Sequence, residues 1–331
     1  MNVWWRVGRR LEWVSGIIAS GGVLLLASGC ASTSVARPAA QAPARTELWV
    51  NTLRSEPIAM DELLDELETA RVIYLGEYHT IPRHHELQLA ILTGLARRGV
   101  RLVLGMEQFE YFAQPALDRF NAGEADLATL AVDSDWGNRW KNHTNYHALL
   151  AAARTRAVPV LALNARAETI RSVGRQGLSG ITPEQREELP AEIVSDDPVY
   201  ERLMTQVLSV HMAFDPEKLR SVFEAQVARD ETMAARLEAF LTSPEGRDRT
   251  ALVICGRGHC EFGLGMPDRV ARRMPGLSQR VILFSQSGDL HLTEEERKQA
   301  REIEVPHQFL RDLGRSAADF THITELAAPL P

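Results

Sequence analysis

Residues 72–85 read VIYLGEYHTIPRHH. The stretch opens on an uncharged run ending at Gly76 and then turns polar at once, with Glu77, Tyr78 and His79. A continuous apolar run, rather than an alternating one, is the pattern of a strand buried on both faces by helices. The segment that follows, HHELQLAILTGLARRG, puts Leu87, Ile91 and Leu95 on one helical face and stops at Gly99. Together they make one strand–loop–helix unit.

The unit recurs. Apolar runs RLVLGME (101–107), VPVLALN (158–164), TALVICG (250–256) and QRVILFSQ (279–286) alternate with helical stretches, one of which, YHALLAAARTRA, leads straight into VPVLALN. This alternation predicts an α/β fold, with a mostly parallel central sheet carrying helices on both faces. Residues 182–247 break the rhythm with charged helical sequence, expected to form a helical insertion or cap over the sheet. A single domain is expected over 48–331.

Ligands bind beyond the carboxyl ends of strands in open α/β sheets. That rule selects Glu77 and His79 after the first run, Glu107 and Asn164 at the ends of the second and third, and His259 in the GRGHCE turn after the fourth. Imidazole and carboxylate suit a divalent transition metal, so His79, Glu77, Glu107 and His259 form a candidate site, with His79, Glu107 and His259 as ligands and an open position where the metal would activate water. Without a metal, the same groups are competent for acid–base work. A clamp and a catalyst both remain open. Tyr78 stands between Glu77 and His79, and a phenolate is one axial ligand that haem iron accepts. His84 and His85 begin a helix, whose dipole disfavours imidazolium; His84 joins the candidate set, and His85 is taken as structural. His211, in SVHMAF, is expected to reach over the sheet edge from the insertion. Trp136, Trp140, His143, Tyr146 and His147 are either a flat aromatic pocket or core anchors. Gly256 and Gly258 permit a close backbone approach. No GxGxxG opening a helix, GxSxG elbow or P-loop occurs.

The chain has 331 residues, 45% apolar and 24% charged, and a net charge of −7. Such a surface excludes a sequence-independent nucleic-acid binder, which needs dense positive charge. Arg6, Arg9 and Arg10 precede the uncharged residues 14–29, too short for a comfortable membrane span and suited to a secretory signal. The ASGC at its end resembles a bacterial lipobox, with Ala27 where leucine is usual, and makes Cys30 the expected lipidation site. No aspartate follows Cys30, which points to an outer-membrane lipoprotein of the cell envelope, held to the membrane by its N-terminal lipid. Residues 31–47 read as a flexible tether. Cys255 and Cys260 are expected as buried free thiols.

RVIYLGEYHTIPRHHELQLAIL, LGMEQFE, VPVLALNARAETIRSV, EAQVARDETMA and VICGRGHCEFGLGMPDRV, in that order, resemble the ChaN family of haem-binding lipoproteins, part of the haem-binding-uptake/Tiki group. The resemblance covers about residues 48–285. It implies a haem carrier rather than an enzyme, acting in iron acquisition and holding haem between the subunits of a homodimer. The family often carries a tyrosine before its Gly-x-Pro, where this sequence has Phe262. Distant relatives, the Tiki metalloproteases and erythromycin esterases, use a Gly-x-x-His plus glutamate arrangement hydrolytically. Gly76, His79 and Glu107 fit that pattern, as do Gly256 and His259, so a metal-dependent hydrolase using Glu77, His79, Glu107 and His259 is the alternative.

Overall fold

The computed structural model describes residues 47–211, 216–284 and 313–324, all within one compact unit, Arg45–Pro331. The expected signal segment, tether and Cys30 lie outside the described residues. The expected strands form as β3 (Val72–Glu77), β4 (Leu102–Glu110), β5 (Val160–Asn164), β6 (Thr250–Gly256) and β7 (Gln279–Phe284). Three short strands without a strong sequence signal complete the sheet: β1 (Glu47–Asn51), β2 (Glu56–Ile58) and β8 (Phe320–Thr324). The order is β2-β1-β8-β7-β3-β6-β4-β5, parallel from β8 to β5, with β1 antiparallel to both β2 and β8. A local signal misses β1 and β8 because their pairing joins segments some 270 residues apart (Asn51 against Phe320), a contact no window contains.

Side chains alternate across the sheet and feed two separate cores. Ile73, Leu75, Leu104, Leu252 and Ile254 face α1 (Met60–Glu68), α2 (Pro82–Arg97), α3 (Gln114–Asn121) and α6 (His147–Thr155). Beyond α3 come two short helices, α4 (Leu127–Asp133) and α5 (Trp136–Arg139). Helix α2 starts with Pro82 in its first turn and gives way to Gly99 at φ 83°, a conformation glycine adopts without penalty. Val72, Tyr74, Val103, Val253 and Cys255 pack on the other face, under α10 (Pro216–Thr242) and α11 (Met266–Arg273). Cys255 and Cys260 are buried free thiols there.

The expected insertion proves to be two things. After α7 (Ala167–Gln176), which precedes it, come α8 (Pro183–Glu187) and α9 (Pro198–His211), and Tyr200, Leu203 and Met204 of α9 form a satellite core with Phe223 and Val227 of α10. The second half of α10, however, is a regular β5-to-β6 crossover, with Met233, Ala234, Leu237 and Leu241 buried against the strands. At the far edge, α3 closes the open side of β5 with side-chain amides. Asn121 Oδ1 accepts the Val160 N–H (2.9 Å) and Gln114 Oε1 the Ala162 N–H (2.7 Å), so the edge offers no free ladder.

Leu237 is fully buried, whereas Val199 on α9 is 45% exposed. Leu237→Ala should therefore cost about 2–5 kcal/mol in urea unfolding, while Val199→Ser should stay within about 0.5 kcal/mol. Equal effects would show that α10 does not carry the second core.

Candidate functional site

Sheet order brings β3, β6 and β4 side by side, and their carboxyl ends supply the polar cluster. Glu77 is level with Gly256, the last residue of β6. Beyond Met106, β4 shifts register against β5, and this bulge turns both Glu107 and Gln108 into the cluster.

Glu77 is 1% exposed, yet five side chains engage its carboxylate. His79 Nδ1 donates to Oε1 (2.8 Å), as do Gln108 Nε2 (3.0 Å) and the Tyr146 hydroxyl. Gln88 Nε2 (2.5 Å) and His85 Nδ1 (3.3 Å) reach Oε2. Burial alone would raise this carboxyl; the hydrogen bonds and charges of His79 and His85 outweigh it and hold the group well below the usual carboxylate range. Both ring nitrogens of His85 face acceptors, Nε2 meeting the His79 carbonyl at 3.1 Å. Burial opposes charge on His79 and His85, but contact with Glu77 raises both.

The second centre is built from Glu107, His259 and Asp230. Glu107 Oε2 accepts the Gly256 N–H (2.6 Å), and Oε1 lies 3.3 Å from His259 Nε2. His259 Nδ1 donates to Asp230 Oδ1 on α10 (2.6 Å), and Tyr200 on α9 donates to Asp230 Oδ2 (2.9 Å). Burial works against the His259 charge, yet the flanking carboxylates push its pKa up to about 10. Burial would raise Glu107, and His259 and His79 instead bring it down to about 2. Gly256 stands between the two centres at φ −60°, so its lack of a side chain is a matter of space. A β-carbon there would meet His79 Nε2 at 3.0 Å and Glu107 Oε2 at 3.6 Å.

On the rim, Tyr78 is half-buried and its oxygen accepts from Arg257 Nη1 (2.9 Å), with the guanidinium 5.1 Å over its ring. Arg257 is itself paired with Glu261. Burial raises the Tyr78 phenol, and Arg257 opposes that rise. His84 turns inward: its Nδ1 accepts the Tyr78 N–H (3.0 Å) and its ring lies 5.2 Å from Phe284. Asn164 Nδ2 donates to the Glu107 carbonyl (2.9 Å), supporting the bulge, while its Oδ1 is buried without a partner. Trp140 stands edge-on to His79 at 4.9 Å, its indole N–H buried and unpaired. Helix α9 ends at His211, whose side chain lies outside the described residues. Phe262 has φ 61° and donates its N–H to Ala317, with no hydroxyl to offer.

The metal expectation is corrected. Among the described residues, no group of three or more His, Cys, Asp or Glu stands where it could hold a metal ion. The Nδ1 of His79 is taken by Glu77 and that of His259 by Asp230, while Glu107 meets the Gly256 N–H and His259 Nε2, so these side chains are engaged with one another as hydrogen-bonded ion pairs. The metal-dependent hydrolase alternative finds no metal-holding group among the described residues.

Several participants carried weak signals. His84, His85 and Gln88 share one face of α2 through i, i+3 and i+4 spacing, and Asp230 is likewise i, i+4 on α10 with Gln226, whose Nε2 donates to the Tyr200 hydroxyl (3.1 Å). Gln108 adjoins Glu107, but strand alternation would aim it away; only the bulge brings it in.

The family model for haem-binding uptake, Tiki superfamily, ChaN matches residues 63–270. The chain belongs to this family. That span contains both carboxylate centres, Tyr78 and Arg257. Its fold is similar to a solved ChaN of Campylobacter jejuni described as binding haem cofacially: the TM-score is 0.62 at 19% identity, covering 84% of this chain and 97% of that one. Protein RETICULATA-RELATED 5, chloroplastic, of Arabidopsis thaliana is 25% identical over 298 residues, 83% of this chain but only 37% of that protein. An erythromycin esterase in its open conformation scores 0.44 at 12% identity, covering 86% of this chain and 84% of that one.

The two centres make stability depend on pH. His259 rises from an ordinary 6.5 to about 10, so its contribution is fully present below 6.5 and is lost as pH climbs through about 10. Glu107 falls from 4.5 to about 2, so its contribution is present above 4.5 and is lost as pH drops through about 2. Asp230→Asn should cost about 3–5 kcal/mol by breaking a buried pair and move the alkaline loss toward neutrality. Urea midpoints from pH 5 to 10, with imidazole NMR, check this; an unmoved alkaline limb would rule out the Asp230–His259 coupling.

Proposed function

We propose that this ChaN-family chain is a lipid-anchored haem-binding protein of the bacterial cell envelope, serving haem or iron acquisition. The observation that carries the reading is the family match across 63–270, which encloses the strand-end site. The lipobox-like ASGC supplies the anchor at Cys30 and an outer-membrane address. The cofacial haem described for the Campylobacter jejuni protein supports a homodimer with haem between subunits.

We place the haem contact at Tyr78. Tyr74, Tyr146 and Tyr200 are buried, leaving Tyr78 and Tyr111 partly open to solvent. Of these, Tyr78 lies in the loop carrying His79 and has a guanidinium on its oxygen. Arg257 opposes the rise that burial imposes on the Tyr78 phenol, and ferric iron takes phenolate as an axial ligand. With Phe262 in the family's usual tyrosine position, Tyr78 supplies the oxygen from the other side of the same edge. Glu77, His79, Glu107 and His259 act beneath it as a charged, hydrogen-bonded floor that holds the Tyr78 loop and the Arg257 turn in place.

Haemin titrated at micromolar concentration into the detergent-solubilised full chain should produce a Soret band. Tyr78→Phe should shift it and weaken affinity about tenfold, near 1.4 kcal/mol, with Tyr111→Phe close to wild type. Absence of a Soret band would sink haem binding. A band altered by Tyr111→Phe but not by Tyr78→Phe would move the ligand.

A further inference from the structure

The opposite end of the sheet holds a feature the haem site does not use. A groove of about 380 Å³ opens at the amino ends of β4, β5 and β6. Its floor is apolar, with Val100, Leu102 and Val158, and Arg97, Arg101, Arg156 and Arg249 stand around it. No carboxylate lines it, in a chain whose net charge is −7.

Helix ends explain part of this. Arg97 closes α2, and Arg156 Nη1 caps the Ala152 carbonyl of α6 (3.2 Å), where a cation complements the helix dipole. Arg101 and Arg249 are different, since each sits just ahead of a strand. Arg249 Nη1 donates to the Leu102 carbonyl (3.0 Å), which fixes its guanidinium at the groove. Arg101 meets Asp248 at 3.6 Å with both side chains largely exposed, a contact of little strength. A guanidinium carries five donors, so these bonds leave most of the donors unused. Like charges gathered around one concavity repel, and an anion between them removes that cost.

We propose that this groove binds a phosphate-bearing anion with an apolar portion. The arginine forks match phosphate oxygens two at a time, and the floor accepts the apolar part. The phosphate belongs either to a free phosphate compound or to a phospholipid headgroup. Because the groove is at the far end of the strands from Tyr78, its test is independent of haem binding.

The unit Arg45–Pro331 contains all eight strands and both cores and serves as the soluble form, alongside the full chain in detergent. Pyrophosphate is titrated by calorimetry, and vesicles of phosphatidylglycerol or of phosphatidylcholine alone are co-sedimented with the soluble form. Arg97→Ala with Arg101→Ala should weaken binding at least tenfold. Arg54→Ala with Arg119→Ala removes the same charge from exposed positions elsewhere and should leave binding intact. Pyrophosphate binding alone identifies a free phosphate compound; binding to phosphatidylglycerol but not phosphatidylcholine identifies a headgroup. The proposal fails if neither pyrophosphate nor phosphatidylglycerol binds, if phosphatidylcholine binds equally, or if the control pair loses as much as the groove pair.

Discussion

The buried carboxylate of Glu77 is the constraint on which this edge of the molecule depends. A lone carboxylate in a protein interior either protonates or forces the structure open, because its hydration cannot be replaced by apolar contact. Here its partners come from separate elements: His79 from the loop after β3, His85 and Gln88 from α2, Gln108 from the bulge of β4, and Tyr146 from the turn before α6. Satisfying one charge therefore fixes several elements relative to one another. Losing any one partner leaves the others facing an under-compensated charge, so the shell acts as a unit.

A second charge, on His259, extends the same logic to the other side of the sheet. Glu107 and Asp230 flank its ring, and Tyr200 orients Asp230. This chain of contacts ties α9 and α10 to the strand ends. Gly256 is the point where the two networks come closest, and its bare backbone lets them do so. The cluster supports what lies on its rim, where Tyr78 and Arg257 meet. The same edge that reads in sequence as a metal site thus works as a scaffold for a phenol and a guanidinium.

Much of the fold was legible because a strand buried on both faces must be apolar throughout, and five runs satisfy that condition. Helix α2 was legible for similarly local reasons, from the Leu87, Ile91 and Leu95 face and the stop at Gly99, although it starts at Pro82, two residues before His84. Strands β1 and β8 were not, since they pair segments some 270 residues apart. Among site residues, Glu77, His79, Glu107 and His259 could be found from strand position alone. Asp230, Gln108 and Tyr200 could not, because helix packing and a bulge decide where they point. His84 illustrates the reverse error open to sequence reasoning: its type suits a site, yet it faces the core beneath the Tyr78 loop.

What the sequence determined by itself was which segments become strands and helices, the end of the sheet that carries chemistry, and membership of a family recognised from ordered motifs. Those properties follow from hydrophobic period and turn chemistry, both local. Tertiary structure alone decided that β6 lies between β3 and β4, and that choice set Gly256 and His259 between Glu77 and Glu107. It also decided the partners of each buried charge, pairing Glu77 with His79 and His85, and His259 with Glu107 and Asp230, because a buried charge needs neighbours that replace its water.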